Sequence, residues 1–282
     1  MDKPKIGIVG SKGVVGKSLK KWFESQGHTI FEYDVAPTTR RVYEQEIEEP
    51  TGSMEEVNKA DFIYLCLPTP SNDIGYDISA IHHTLSEIND DKIVILKSTL
   101  LPGTTKKLQS AYTRIKLLHN PEFLTASSAD QDMAYPDRQI VGTTVHSRNV
   151  AKDVILQLPL APYERIVDSD VSEMIKLATN AYMSVKNTFS NQIYDLCEKL
   201  GVDYEQVREG LAADKRIERT HLDVWHNYKE KGHRGYAGMC LPKDMQALLN
   251  FAKSLGVSLP LLATTQEVNE GYKNKGNNET KN

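Results

Sequence analysis

Apolar residues in the first half of the chain fall into short runs separated by polar, helix-forming stretches. Lys5–Val9, Thr29–Tyr33, Asp61–Leu67, Ile93–Leu96, Lys116–Leu118 and Gln139–Gly142 read as strands. Several are apolar almost without interruption, the mark of strands covered on both faces. Between them, Lys17–Gln26, Ile78–Ile88 and Thr104–Thr113 carry helical spacing, the first closed by Gly27. Strands alternating with helices argue for a doubly wound parallel α/β sheet of Rossmann-like form. A mixed α+β domain is the alternative that this pattern leaves open.

The period changes after residue 165. Val171, Met174, Ile175, Ala178, Ala181, Tyr182, Val185, Phe189, Ile193, Leu196 and Leu200 recur at intervals of three and four, one face of a single long helix. Asp168 or Ser169 can cap its start and Gly201 can end it. Two further helices are predicted around Pro242–Leu255 and Pro260–Gly271. The expected organisation is therefore an α/β domain over 1–165, a helical central domain over 166–272 and a frayed polar tail over 273–282. A helix this long in a small domain points to a core shared between two copies, a homodimer.

Composition narrows the function classes. Among 282 residues, 34 basic side chains face 38 acidic ones, a net charge of −4. No basic excess points to nucleic acid or to an anionic membrane. The longest apolar stretches, such as Phe62–Leu67, are far shorter than the about 18 residues a membrane span needs. The N-terminal run Ile6–Gly10 lacks the pattern of a secretory leader. Three cysteines, Cys66, Cys197 and Cys240, form no CxxC pair. An odd, widely spaced set favours reduced thiols and a cytoplasmic setting. The histidines include no HExxH and no His/Cys cluster, so no metal is expected.

Two stretches carry candidate chemistry on their own residues. Gly10-Ser-Lys-Gly13-Val14-Val15-Gly16 follows a strand and opens a helix, where glycines permit a tight turn and the helix N-terminus offers N–H groups to a pyrophosphate. The loop is one residue longer than G-x-G-x-x-G, and a plain strand-turn-helix would look alike. Asp34, at the end of the second strand, stands where a carboxylate would bond a ribose hydroxyl. It favours NAD over NADP, with Arg40 nearby as a counter-signal. The second stretch is Gly235-Tyr236-Ala-Gly-Met-Cys240-Leu-Pro242-Lys243-Asp244. Cys240 would sit just before a helix N-terminus, with Arg234 and Lys243 close in sequence, and both effects favour a thiolate. A small buried apolar cysteine is the plainer alternative, and the one adopted for Cys66 and Cys197. Lys176 and Asn180 lie four apart on the long helix and share a face, as a solvated polar edge also would. Glu122 and Thr99 each follow a strand, where α/β sheets form their ligand crevices.

Leu67-Pro68-Thr69-Pro70, Lys97-Ser98-Thr99, Asn120-Pro-Glu122-Phe123-Leu124, Tyr135-Pro-Asp-Arg138, Glu173-x-x-Lys176-Leu-x-x-Asn180, Arg216-Ile217, Gly235–Asp244 and Val268-Asn-Glu270 occur in order. Together they resemble the UDP-glucose/GDP-mannose 6-dehydrogenase family. The resemblance implies an enzyme that oxidises a nucleotide-sugar primary alcohol, most simply C6 of UDP-glucose, to the carboxylate with two NAD. It implies Cys240 as nucleophile and Lys176 and Asn180 as stabilisers of oxyanion charge. Asp244 would serve the water and the proton transfers, Glu122 would assist thioester hydrolysis, and Thr99 would position the water. The cofactor residues it implies are Gly10, Gly13, Val14, Val15, Gly16, Asp34, Arg40, Pro68, Thr69, Ser98, Thr99 and Lys243. For the sugar nucleotide it implies Glu122, Phe123, Leu124, Lys176, Asn180, Arg216, Lys231, Gly235 and Tyr236, with Arg216 reaching across a dimer.

The sequence also departs from that family. Ala126 stands where a second acid is usual, Ala237 replaces a glycine, and the segment from Ile217 to Gly235 is longer. The sequence stops after Val268-Asn-Glu270, where the family continues into a UDP-covering third domain. The expectation is a short form, one completed at the UDP site by a separate chain, or one acting on another hydroxyl substrate. The competing readings are a non-catalytic NAD-binding or dimerising remnant and a two-electron dehydrogenase that needs no cysteine.

Overall fold

A computed structural model describes residues 3–42, 45–72, 75–228 and 231–279. It divides into two compact units: Met1–Pro70 with Tyr76–Lys176, and Ser71–Gly75 with Leu177–Asn282. The division falls inside the long helix, beyond the boundary after residue 165 that the change of period marks.

The strands of the first unit, in chain order, are β1 (Ile6–Val9), β2 (Ile30–Val42), β3 (Gln45–Gly52) and β4 (Phe62–Leu65). Two two-residue strands, β5 (Ser71–Asn72) and β6 (Gly75–Tyr76), precede β7 (Ile93–Leu96), β8 (Lys116–His119), β9 (Arg138–Thr143) and β10 (Tyr163–Asp168). Eight of them form one sheet in the order β10-β9-β8-β7-β4-β1-β2-β3. From β2 through β1, β4 and β7 to β8 the strands are parallel, as the alternation of strand and helix predicts. Two departures from an all-parallel sheet occur at its flanks. β2 continues past the expected Tyr33 to Val42 and pairs antiparallel with β3, and β9 runs antiparallel to β8.

The connecting helices are α1 (Val14–Ser25), α2 (Met54–Val57), α3 (Ser79–Ser86), α4 (Thr104–Ala111), α5 (Ala129–Ala134) and α6 (Ala151–Ile155). They cover both faces of the sheet, and alternate residues of the same strands feed two cores. Ile6, Ile8, Tyr64, Ile95, Leu118 and Val141 pack with Leu19 and Phe23 of α1 and Val154 of α6. Val9, Ile63, Leu65, Val94, Leu96 and Leu117 pack with Val57 of α2, Ile81 and Leu85 of α3, and Leu108 of α4. This placement leaves the loops at the carboxyl ends of the parallel strands to build a site.

In the second unit, α7 (Ser169–Leu200, 32 residues) continues out of the first. It ends at Gly201, φ +65°, with Val202 N–H bonded to Cys197 O (3.0 Å) and Gly201 N–H to Glu198 O, a Schellman closure. Then come α8 (Tyr204–Ala212), a hairpin of β11 (Trp225–Tyr228) and β12 (Lys231–Arg234), α9 (Leu241–Ser254) and α10 (Pro260–Glu279). The expected frayed tail from residue 273 is helical through Glu279, and 280–282 lie outside the described residues. The apolar stripe of α7 is mostly exposed: Tyr182 is 62% accessible, Leu196 55% and Phe189 49%. The opposite face is buried and polar, including Ser172, Glu173, Lys176, Asn180, Ser184, Asn187 and Asn191. Among the described residues, no helix is long and apolar enough to cross a membrane, and no His/Cys/Asp/Glu group could hold a metal ion.

Candidate active site

The turn after β1 is shaped for close approach. Gly10 has φ +82°, and its N–H donates to Tyr33 O of β2 (2.9 Å). A Cβ on Gly16 would collide with the Gly10 carbonyl, so α1 can start against the turn only with glycine there. Gly13 is the N-cap and makes no side-chain bond. The N–H groups of Val14, Val15 and Gly16 therefore form an uncapped helix end, suited to a phosphate. Asp34 lies beside the loop: its carboxylate oxygens accept Lys12 N–H (2.8 Å) and Ala36 N–H (2.9 Å). Each oxygen keeps a lone pair for a ribose hydroxyl. A cavity of about 450 Å³ opens beside Val14, Lys17 and Lys21 of α1, and Ala126 and Ser127 line its other wall. These residues fit a dinucleotide. Arg40 lies on β2 opposite Ile47, and its side chain lies outside the described part.

The loops after β4 and β7 are joined. Thr69 Oγ1 donates to Thr99 O (2.9 Å), and Ser98 Oγ donates to Leu67 O (2.6 Å). Pro68 is exposed beside them and Thr99 is half-buried.

Behind these loops lies a buried charged group that the sequence reading did not assign. Lys97 follows β7, is 5% exposed, and its Nζ donates to Asn120 Oδ1 (2.7 Å). Asn120 in turn donates to Ile140 O of β9 (2.8 Å). Burial pushes the Lys97 ammonium down to about 8, with Lys176 adding to the effect and Cys66 and Glu122 opposing it. His119, at the end of β8, lies between Ser172 Oγ (2.7 Å) and Ser98 O (3.1 Å). Burial drives it down to about 3 and keeps it neutral. Burial also pushes the Cys66 thiol up to about 12, which agrees with the inert role expected of it.

Glu122 and Lys176 meet directly. Lys176 Nζ donates to Glu122 Oε1 at 3.0 Å, with both side chains largely buried, and Leu124 N–H donates to Glu122 Oε2 (2.6 Å). Phe123 packs between two cations, with Arg138 at 3.8 Å and Lys176 at 5.5 Å from its ring centre. Three residues before Lys176 on α7, Glu173 caps α4. It accepts from Gly103 N–H (2.7 Å), Thr105 N–H (2.8 Å) and Thr105 Oγ1 (2.6 Å), and burial raises its carboxyl to about 7.

In the second unit Cys240 is exposed, lies outside any disulfide and occupies the N-cap of α9. One turn on, Asp244 is 1% exposed and both of its oxygens are engaged: Asn180 Nδ2 donates to Oδ2 (2.6 Å) and Lys243 Nζ to Oδ1 (2.7 Å). The two cations expected to favour a thiolate are thus both matched by carboxylates. Lys243 serves Asp244, and Arg234 is buried in an ion pair with Asp195 (2.6 Å). The helix N-terminus remains as the favourable influence. Arg216 is exposed and held in a fork by Asp214, Nε to Oδ1 at 3.0 Å and Nη2 to Oδ2 at 2.6 Å. Its loop is tied to α7 by Lys186 Nζ, which donates to Ile217 O (2.5 Å) and Glu218 O (3.1 Å). Gly235 and Tyr236 are buried, and Lys231 begins β12 with its side chain outside the described part. The sequence-predicted residues therefore gather as a turn around Gly10–Asp34, a Glu122–Lys176 pair and an Asn180–Asp244–Lys243 group beside Cys240.

Comparison with known proteins supplies the lineage. The chain is 32% identical, over 82% of its length, to UDP-glucose 6-dehydrogenase TuaD of Bacillus subtilis, of which it covers 51%. It is 31% identical, over 76% of its length, to UDP-glucose 6-dehydrogenase of Rickettsia conorii, of which it covers 50%. It therefore spans about half the length of these curated relatives. Among solved structures, a UDP-glucose dehydrogenase from Pyrobaculum islandicum superposes with a TM-score of 0.79 at 25% identity, covering 95% of this chain and 68% of that one. Residues 17–157 match the NAD binding domain of the UDP-glucose/GDP-mannose dehydrogenase family and residues 170–271 its central domain, so the cofactor is NAD and the chain belongs to that family.

Proposed function

We propose that the chain oxidises a nucleotide-sugar primary alcohol, C6 of UDP-glucose, to the carboxylate in two two-electron steps through Cys240. The observation that carries this reading is an exposed cysteine at the start of α9 whose first turn holds Asp244 buried against Asn180. A structural cysteine would be buried, and a decayed site would not keep a satisfied buried carboxylate there.

NAD, when bound, supplies the hydride acceptor for each oxidation. In the first, C6 loses its hydride to that acceptor and the hydroxyl proton passes to a water held by Asp244, leaving an aldehyde to which the Cys240 thiolate adds. A C–S bond forms and the carbonyl electrons become an oxyanion, which the amide of Asn180 and the ammonium of Lys176 stabilise. Loss of the C6 hydride restores the carbonyl as a thioester. Water then adds to C6, the C–S bond breaks, the electron pair returns to sulfur, and the released protons pass to Glu122 and solvent. The ion pair with Glu122 (3.0 Å) orients Lys176. Thr99 positions the water. Arg216, prearranged by Asp214, takes the sugar nucleotide of a second copy, and the exposed stripe of α7 is the face on which two copies meet. All three cysteines are free, as a reducing compartment keeps them, so we place the reaction in the cytoplasm.

The test is the number of NADH formed per UDP-glucose consumed, with excess NAD. Two establishes the four-electron route. One means oxidation that stops after two electrons, and none with NAD still bound means a non-catalytic or partner-dependent chain; either result sinks the proposal.

A further inference from the structure

The segment that delivers Cys240 is fixed at its near end by contacts of Arg234, Asn191 and Asn269, none of which belongs to the chemistry above. Arg234 donates to Asn191 O (2.9 Å) of α7 and pairs with Asp195, beneath the rings of Tyr194 and Tyr272. Gly235 N–H donates to Asn191 Oδ1 (3.3 Å). Asn269 of α10, fully buried, grips Tyr236 from both sides: its Oδ1 accepts Tyr236 N–H (2.8 Å), and its Nδ2 donates to Tyr236 O (3.0 Å). One side chain thus reproduces the donor and acceptor pair of a neighbouring strand. The approach is so close that a Cβ on Gly235, φ +79°, would lie 2.5 Å from Asn269 Oδ1. At the far end, Asp244 N–H bonds Cys240 O (2.9 Å) and the Asp244 carboxylate is held by Asn180. Between these anchors Ala237, Gly238, Met239 and Cys240 are mostly exposed, and Gly238 has nothing within 4 Å of its would-be Cβ.

We propose that Asn269 is a positioning residue for the nucleophile. By clamping both backbone groups of Tyr236 it converts an open four-residue span into one pinned at each end, and so fixes where the Cys240 sulfur stands. The inference rests on Cys240 being the nucleophile. The energetic logic is preorganisation: without the clamp the span is tethered one residue further back, at Gly235, and samples more positions of the sulfur, whereas attack on an aldehyde tolerates displacements of well under 1 Å.

Asn269→Leu keeps the branching of the side chain and removes both bonds. Amide hydrogen exchange at Tyr236, Ala237 and Gly238 is expected to speed up at least about tenfold, with α9 and α10 as protected as in the wild type. The kcat for UDP-glucose is expected to fall about 10- to 100-fold with the NAD dissociation constant unchanged. Asn269→Asp, which keeps the acceptor for Tyr236 N–H, should fold if the leucine variant does not, and should fall between. Tyr272→Phe removes the bond of α10 to Asp195 (3.0 Å) without touching Tyr236. It should lower the melting temperature and leave exchange at Tyr236 unchanged. Wild-type exchange at Tyr236 in Asn269→Leu overturns the clamp, and fast exchange with unaltered kcat overturns its role in positioning. Cys240→Ala run beside these variants separates the two ideas: carboxylate formed without Cys240 defeats the nucleophile, whatever the exchange shows.

Discussion

The two units bury opposite kinds of surface. In the first, strand residues alternate between two dry cores, Ile6, Ile8 and Tyr64 on one face of the sheet and Val9, Ile63 and Leu65 on the other. In the second, α7 turns serines, asparagines and a lysine inward and leaves Tyr182, Phe189 and Leu196 in solvent. The first arrangement draws its stability mainly from apolar burial. The second depends on satisfied amides, and it presents an apolar stripe that a lone copy leaves uncovered. The same split separates the proposed tasks: the uncapped end of α1 and Asp34 lie in the α/β unit, and Cys240 with Asp244 in the helical one.

The sharpest way to break that division of tasks is Cys240→Ala. Turnover should fall by at least about 10⁴-fold, as for loss of a covalent nucleophile, while NAD titration gives the wild-type dissociation constant. A variant that also loses NAD would mean the two units are not independent in function. On the stability side, Leu96→Ala in the buried β7 should cost about 2–5 kcal/mol in denaturant unfolding. Leu196→Ala, on the exposed stripe, should cost less than about 0.5 kcal/mol at protein concentrations where the chain is a monomer. Comparable losses would show that the stripe is packed within a single copy.

The stripe yields the next prediction. Phe189→Glu places a charge in the middle of the exposed apolar row and leaves the buried polar face untouched. Sedimentation at micromolar concentration should give a dimer for the wild type and a monomer for the variant, since an apolar interface does not accept an unpaired charge. A wild-type monomer under the same conditions rules out the second copy as the cover.

What the sequence made legible follows the same physical line. The central strands were readable because residues buried on both faces leave continuous apolar runs, as at Ile63–Leu65 and Ile93–Leu96. The β2–β3 extension was not, because Thr38–Val42 and Gln45–Glu49 are threonine, arginine and glutamate rich and carry no apolar run. Strand β10 escaped for a related reason: at the sheet edge none of its side chains is fully buried. Around the site, the glycine-flanked stretch before α9 points to Cys240, whereas Lys176, Asn180 and Glu122 come only from the family resemblance. The contacts of Asn191, Asn269 and the Lys97–Asn120 pair were invisible, since partners 23 to 44 residues apart leave no local period. For Lys97 one signal existed: a lysine directly after an otherwise fully apolar strand must find a buried partner or cross the sheet edge.

Two buried groups of the α/β unit titrate in opposite senses and separate it from the helical unit by pH. Lys97 is lowered by burial, so the unfolded chain holds a proton there between pH 8 and about 10.5 that the folded chain has shed. Stability from this group therefore rises with pH across that window. The difference between wild type and Lys97→Met in urea unfolding should shift toward the wild type from pH 8 to 10.5. A pH-independent difference would show the ammonium fully accommodated by Asn120.

Glu173 gives the smaller effect. Its carboxyl is raised to about 7 by burial, against the bonds from Thr105 and Gly103 that favour the ion. Between about pH 4.5 and 7 the folded chain holds the proton that the unfolded chain has lost, so this contribution is complete below 4.5 and is lost as pH rises through 7. Glu173→Gln cannot ionise but still offers an oxygen to the start of α4. Its stability deficit relative to wild type should therefore be largest near pH 5 and shrink toward pH 8. A deficit that instead grows with pH would mean that the charged form, set against the dipole of α4, is the stabilising one. Burial would then matter less at this helix end than the three hydrogen bonds Glu173 accepts.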